Sequence, residues 1–207
     1  PNLHSFPTRR SSDLYDASNL VVTTALSGGV LSVSIAGASS QTGVSHTSGL
    51  TVSSTGGAID LSNTGNTFAV TTLTTTGAYD ASVYDASAMT VVSANVGGKL
   101  TLSGSSTVGQ NGAIHATALS ASSTGGAITL IHAGNTFGDV SLSTTGSLNA
   151  TVYDSVSMNI AGATGGGNLT LSGGGAIGLS VECVDAQLSD ISSGWTARDR
   201  PEHESET

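Results

Sequence analysis

The fold this sequence predicts is an all-β solenoid, a parallel β-helix on a 69-residue repeat with almost no helix. Three observations predict it. Tyr15, Tyr84 and Tyr153 open near-copies of one stretch at a fixed step of 69 residues, the mark of a stacked repeat architecture. Aliphatic residues alternate with Ser and Thr, as in Leu31-Ser-Val-Ser-Ile35 and Leu100-Thr-Leu-Ser103, which is the period-two pattern of strands. From Tyr15 to Val181 there is no Pro and no Cys, so strands can pair on both edges and stability must come from ladders and packing.

Taken in order, the chain opens on residues 1–14. His4–Leu14 resembles the conceptual translation of a short-read sequencing adapter, so 1–14 is expected to be an artefactual or disordered leader outside the fold. The body follows, 15–181, as a partial copy over about 15–52 and further copies over 53–121 and 122–181. Ser53–Gly104 against Ser122–Gly173 gives 29 identities in 52 positions, so the copies must share one local structure. The third copy aligns as though six residues were lost between Gly173 and Ala176, where the second has Gly104–Asn111.

Strand-like runs recur roughly every ten residues through the body. Turn signals lie between them, among them Gly28-Gly29, Thr64-Gly-Asn66, Gly97-Gly98, Gly134-Asn135 and Gly165-Gly-Gly167. No segment has capped i, i+3, i+4 periodicity. Small aliphatics with Ser and Thr suit a narrow core stacked in layers, and the body has few aromatics for a sandwich. A coil of roughly 20–25 residues makes each repeat about three coils and the body about seven, on the order of 35 Å long at strand spacing. The last segment, 182–207, holds seven of the fourteen acids and the only Cys and Trp; it is expected to be a polar cap or out-of-frame sequence.

Composition excludes several functions. Lys99 is the body's only basic residue, which argues against nucleic acid and against anionic membrane surfaces. No apolar run approaches the ~20 residues of a spanning helix.

Candidate chemistry is thin. Asp16, Asp85 and Asp154 follow Tyr15, Tyr84 and Tyr153. As a column of cation ligands they are too sparse, because calcium wants six to eight oxygens and copies three coils apart would stand roughly 14 Å from one another. The expectation is that each Asp caps its own turn while the Tyr packs beside it. His46 and His115 are counterparts and His132 stands alone, with no metal-ligand spacing. Phe68 and Phe137, after Gly-Asn66-Thr and Gly-Asn135-Thr, are expected in the core. Gly97 and Gly166 complete the recurring positions. No catalytic residue, metal site or cofactor is expected: the many Ser lack a convergent His and acid, and six Asp without Glu make no acid–base cleft.

Gly-Asn-Thr-Phe68, Gly-Asn-Thr-Phe137, the run Val140–Gly146 and the recurring Val-Tyr-Asp resemble the repeats of filamentous-haemagglutinin-like exoproteins, the adhesins of two-partner secretion and autotransporter systems. The resemblance covers the body and neither end. It implies a right-handed parallel β-helix, export through an outer-membrane pore of a Gram-negative bacterium, and a secreted or cell-surface role in adhesion or biofilm. Partners would be a host or neighbouring-cell receptor or glycan, engaged by the full-length protein. The expected function is thus a structural rod segment, not an enzyme. The alternative is a module recognising a regular surface such as ice or glycan through the Thr/Ser rows Thr71–Thr76 and Ser141–Thr145, with gaps between rows.

Overall fold

A computed structural model describes residues 2–180 and 187–191. The 182–207 segment, expected to be a cap or out-of-frame sequence, lies outside the described residues apart from Gln187–Ile191. Among the described residues every regular element is a strand, and all pair in parallel in one continuous sheet. The strands are β1 (Asn2–Asp16), β2 (Leu20–Ile35), β3 (Ser39–Gln41), β4 (Ser45–Ser54), β5 (Ile59–Leu61), β6 (Thr67–Phe68), β7 (Thr71–Thr75), β8 (Ala81–Asp85) and β9 (Met89–Gly104). They continue as β10 (Val108–Gln110), β11 (Ile114–Ser123), β12 (Ile128–Leu130), β13 (Thr136–Thr144), β14 (Ala150–Asp154), β15 (Met158–Thr164), β16 (Asn168–Gly173), β17 (Ile177–Leu179) and β18 (Gln187–Ile191). The chain coils into a solenoid of about eight turns, one more than the spacing of strand signals suggested.

Alternation turns into core directly. In β8 the pattern buries Ala81, Val83 and Asp85 and half-exposes Ser82 and Tyr84; β7, β14 and β16 alternate in the same way. The inward residues stack turn on turn into one hydrophobic core, including Leu20, Ile59, Leu100, Leu119, Val140 and Ile160. Each fully buried Leu, Ile or Val stabilises by about 1.5–3 kcal/mol relative to exposure. Phe68 and Phe137 lie in this core, 0% and 2% exposed.

The register corrects the expected coil length. Following Cα partners, Leu20 leads through Ser39, Ile59, Ala81, Leu100, Leu119 and Val140 to Ile160. Those seven steps of about twenty residues end in β15, two residues past Met158, the counterpart of Leu20 two repeats on. Two repeats therefore stop two residues short of seven turns, and one repeat makes nearly three and a half. Counterparts one repeat apart fall on opposite ladders. Ile59 pairs with Ala81, whereas Ile128 belongs to the ladder Val108, Ile128, Ala150, Leu169. The estimate of three whole coils failed because it assumed longer coils than the ladder makes.

Register also removes the six-residue loss. Met89 pairs with Val108 and Met158 with Ile177, so Val108 and Ile177 keep the 69-residue offset. The apparent gap came from aligning Ala113-Ile with Ala176-Ile; the ladder puts Ile177 in the place of Val108.

Two expected turns lie inside strands. Gly28-Gly29 sits within β2 at a register shift against β4, and Gly97-Gly98 within β9 between the stretches that pair with β7 and with β8. Gly97 is required there by close approach, because a Cβ would run into the carbonyl oxygen of Gly77 on the preceding turn. Its counterpart Gly166 meets Gly146 in the same way, at 2.7 Å. Gly77 and Gly146 themselves have φ of 90° and 59°, conformations costly for any side chain.

Residues before Tyr15, expected to stand apart as a leader, form most of β1 and pair with β2, with three register shifts between His4 and Ser11. An open ladder edge accepts any chain offering N–H and C=O groups, so this pairing is a property of backbone and independent of the segment's origin.

Candidate functional site

The chemistry-bearing side chains gather in one arrangement that occurs twice. It begins with an aspartate turn. Asp85 Oδ1 accepts hydrogen bonds from the Ser87 backbone N–H and hydroxyl, at 2.8 and 2.7 Å. Asp16 serves Ser18 in the same way, and Asp60 serves Ser62. Asp154 accepts from the Val156 N–H at 3.1 Å. In each case the carboxylate closes a two-residue turn on its own backbone.

Asp85 and Asp154 go further. Each is fully buried, and the second oxygen accepts the N–H of the phenylalanine on the preceding turn, Phe68 at 3.2 Å and Phe137 at 3.0 Å. One carboxylate thus ties two turns together. Burial pushes the Asp154 carboxyl above its ordinary value of 3.8, against the lowering effect of the Val156 and Phe137 N–H groups.

Asn66 and Asn135 stand beside these carboxylates, both 0% exposed. Asn66 forms a reciprocal amide pair with Gln41: Gln41 Nε2 donates to Asn66 Oδ1, and Asn66 Nδ2 returns a bond to Gln41 Oε1 at 2.9 Å. Asn66 Oδ1 also accepts the Ser45 N–H, and its Nδ2 donates to the Leu61 carbonyl. Asn135 repeats this with Gln110, the Ile114 N–H and the Leu130 carbonyl, and adds a bond to the Tyr153 carbonyl on the next turn. The backbone carbonyls of Asn66 and Asn135 accept from the turn above, at Ala86 and Ser155. Side chain and backbone together, each Asn joins three successive turns. Sequence reasoning recognised Gly-Asn as a turn signal but did not see the pairing; the available signal was a Gln 25 residues before Asn in both copies.

The other expected positions fall around this spine. Tyr84 and Tyr153 are half-buried beside their aspartates, while Tyr15 is 74% exposed. His46 and His115 are exposed, and Nδ1 of each shares a 2.8 Å hydrogen bond with the hydroxyl of Thr67 or Thr136. His132 is exposed and its Nδ1 accepts the Gly134 N–H. The two histidines lie on different ladders: His46 pairs with Leu26 and Thr67, whereas His115 pairs with Asn95, whose ladder runs back through Thr74 to Ser53.

Among the described residues no three His, Cys, Asp or Glu come together in a way that could hold a metal ion. Two cavities each have a volume of about 10 Å³, one lined by Leu20, Phe68 and Ser39 among others, the other by Leu142 and Leu169 among others. Room for about one water is far below the ~300 Å³ at which small-molecule pockets begin. No helix among the described residues is long and apolar enough to cross a membrane.

The outward face carries hydroxyls in double file. Ser82 and Tyr84, Thr101 and Ser103, Ser120 and Ser122, and Ser141 and Ser143 lie on four consecutive turns. Ser122 donates to Ser103 at 3.0 Å along the file. The rows expected at Thr71–Thr76 and Ser141–Thr145 are broken by alternation, since Thr71, Thr75 and Thr144 point into the core.

Comparison with known proteins gives two family matches. A family described as "Repeats of unknown function (DUF5649)" matches residues 10–75 and 78–144. A second, "Protein of unknown function (DUF2948)", matches residues 156–203. No curated protein and no solved structure matches the chain.

Proposed function

From the premise that this chain belongs to the DUF5649 repeat family, we propose that it is a structural rod segment of a large bacterial surface adhesin, secreted or held at the cell surface of a Gram-negative bacterium. The observation that carries the reading is the uninterrupted parallel ladder, with one narrow core running through about eight turns. Such a stack resists bending because every turn is bonded to the next. Its chemistry is spent inside, on joining turns, which suits a spacer that holds a binding region away from a surface. Few charges and no Cys in the body suit passage through an outer-membrane pore as an unfolded chain, with folding outside. The receptor or glycan would be met by other parts of the full-length protein. Small-angle scattering of this chain and of a variant with residues 53–121 duplicated in frame tests this: the rod reading expects the stack, about 38 Å long at about 4.8 Å per turn, to lengthen by about 17 Å with its cross-section unchanged and no response to calcium. Growth in cross-section instead of length would sink it.

The double hydroxyl file supports a second reading, a module for a regular surface such as ice or glycan. The file fills consecutive turns, closing the gaps that once-per-repeat rows would leave. Thermal hysteresis at high protein concentration decides it, and unshaped ice crystals would end the ice form of the idea.

A further inference from the structure

We propose that the buried Gln–Asn pair, one per repeat, is the device that sets the register of the coils. The aliphatic positions of the strands carry little information about register. Core residues alternate with Ser and Thr, as in Leu100-Thr-Leu-Ser and Val140-Ser-Leu-Ser, so a slip of two residues again places aliphatic over aliphatic. Turn length does not fix it either, because the steps from Leu20 to Ser39, Ile59 and Ala81 differ from one to the next. The loops absorb one to three residues without breaking the ladder.

The amide pair is different. Gln41 lies at the end of β3, and Asn66 lies just before β6 on the following turn. Their two reciprocal bonds, the Ser45 N–H and the Leu61 carbonyl hold in a single register. A two-residue slip moves Asn66 by roughly 6.6 Å along the strand. That leaves a buried primary amide facing aliphatic side chains with its donors and acceptor unmet. Asn135 with Gln110 imposes the same condition one repeat later, and Asp85 and Asp154 extend it to the next turn through Phe68 and Phe137. A lone buried Asn fixes register in coiled coils by the same logic.

The test is amide NMR of the ¹⁵N-labelled chain carrying Gln110→Leu and Asn135→Leu, with Gln41 and Asn66 intact. The expected result is β circular dichroism at the wild-type level, with two or more sets of amide signals for residues 108–154 and one set for residues 20–61. A single set, with Ile128 still beside Ala150 by nuclear Overhauser contacts, would overturn the proposal, since a merely stabilising pair changes melting temperature and not register. Should the Leu pair not fold, Asn135→Asp is read in the same way. It keeps the side-chain shape and removes the donors to Gln110, Leu130 and Tyr153, so doubled signals support the proposal and a single native set overturns it.

Discussion

At the scale of single residues, two copies of one design can be compared within one molecule. The hydroxyls of Ser39, Thr47 and Thr71 are buried without a hydrogen-bond partner. One repeat length further on stand Val108, Ala116 and Val140. A buried hydroxyl without a partner costs about 1–3 kcal/mol, so the stretch 39–71 is softer than its counterpart 108–140. Thr71→Val, which copies Val140, is expected to stabilise by about 1 kcal/mol, read as a higher urea midpoint at unchanged slope. Asp154 gives a second expectation. Its folded-state value is raised above 3.8, so its favourable contribution is complete below that pH and is lost as pH climbs through the folded value. Urea midpoints of wild type and the non-titrating Asp154→Asn, taken from pH 3 upward, should show wild type losing ground to the variant as pH rises. A constant difference would contradict the direction.

At the scale of elements, glycine separates two jobs. Gly97 and Gly166 let adjacent turns approach, and a Cβ there collides with backbone that cannot move away. Gly109, inside β10, has its nearest neighbour at 3.8 Å. Gly97→Ala should therefore cost about 1–3 kcal/mol, and Gly109→Ala should be close to neutral, both by denaturant titration. This contrast also marks what could be read beforehand. Period-two alternation was legible because a strand turns each residue's neighbour to the other face, and that alone predicts β7, β8, β14 and β16. The Asx turns at Asp85 and Asp154 were legible because their partners lie two residues away. Gly28-Gly29 and Gly97-Gly98 were misread because a glycine at a close approach looks the same as a glycine in a turn. The amide pair was not legible because its partners stand 25 residues apart, and only the coil geometry brings them together.

At the scale of the whole molecule, the repeat length and the turn length do not share a whole-number ratio, and that sets the decoration of the surface. The hydroxyl file formed by Ser82–Ser143 on one ladder has its counterparts, Ser32, Thr51 and Thr72, on the other. Removing residues 53–121 in frame takes out one repeat. Spin labels at Ser40 in β3 and Ser141 in β13, strands joined in one ladder through β5, β8, β9 and β11 in the intact chain, should then come about 17 Å closer along the stack, from 3.5 turns at about 4.8 Å. They should also be offset across the core by the ~10 Å between packed sheets. A change in axial distance with no transverse offset would refute the half-turn phase.

That phase gives repeat number a parity. In a longer array, gain or loss of one unit would swing everything beyond it toward the far side of the rod, while gain or loss of two would nearly restore the heading and mainly alter the reach. A tandem gene that recombines by whole units would thus encode two settings at once, an even-or-odd choice of which way the tip points and a graded choice of how far out it stands.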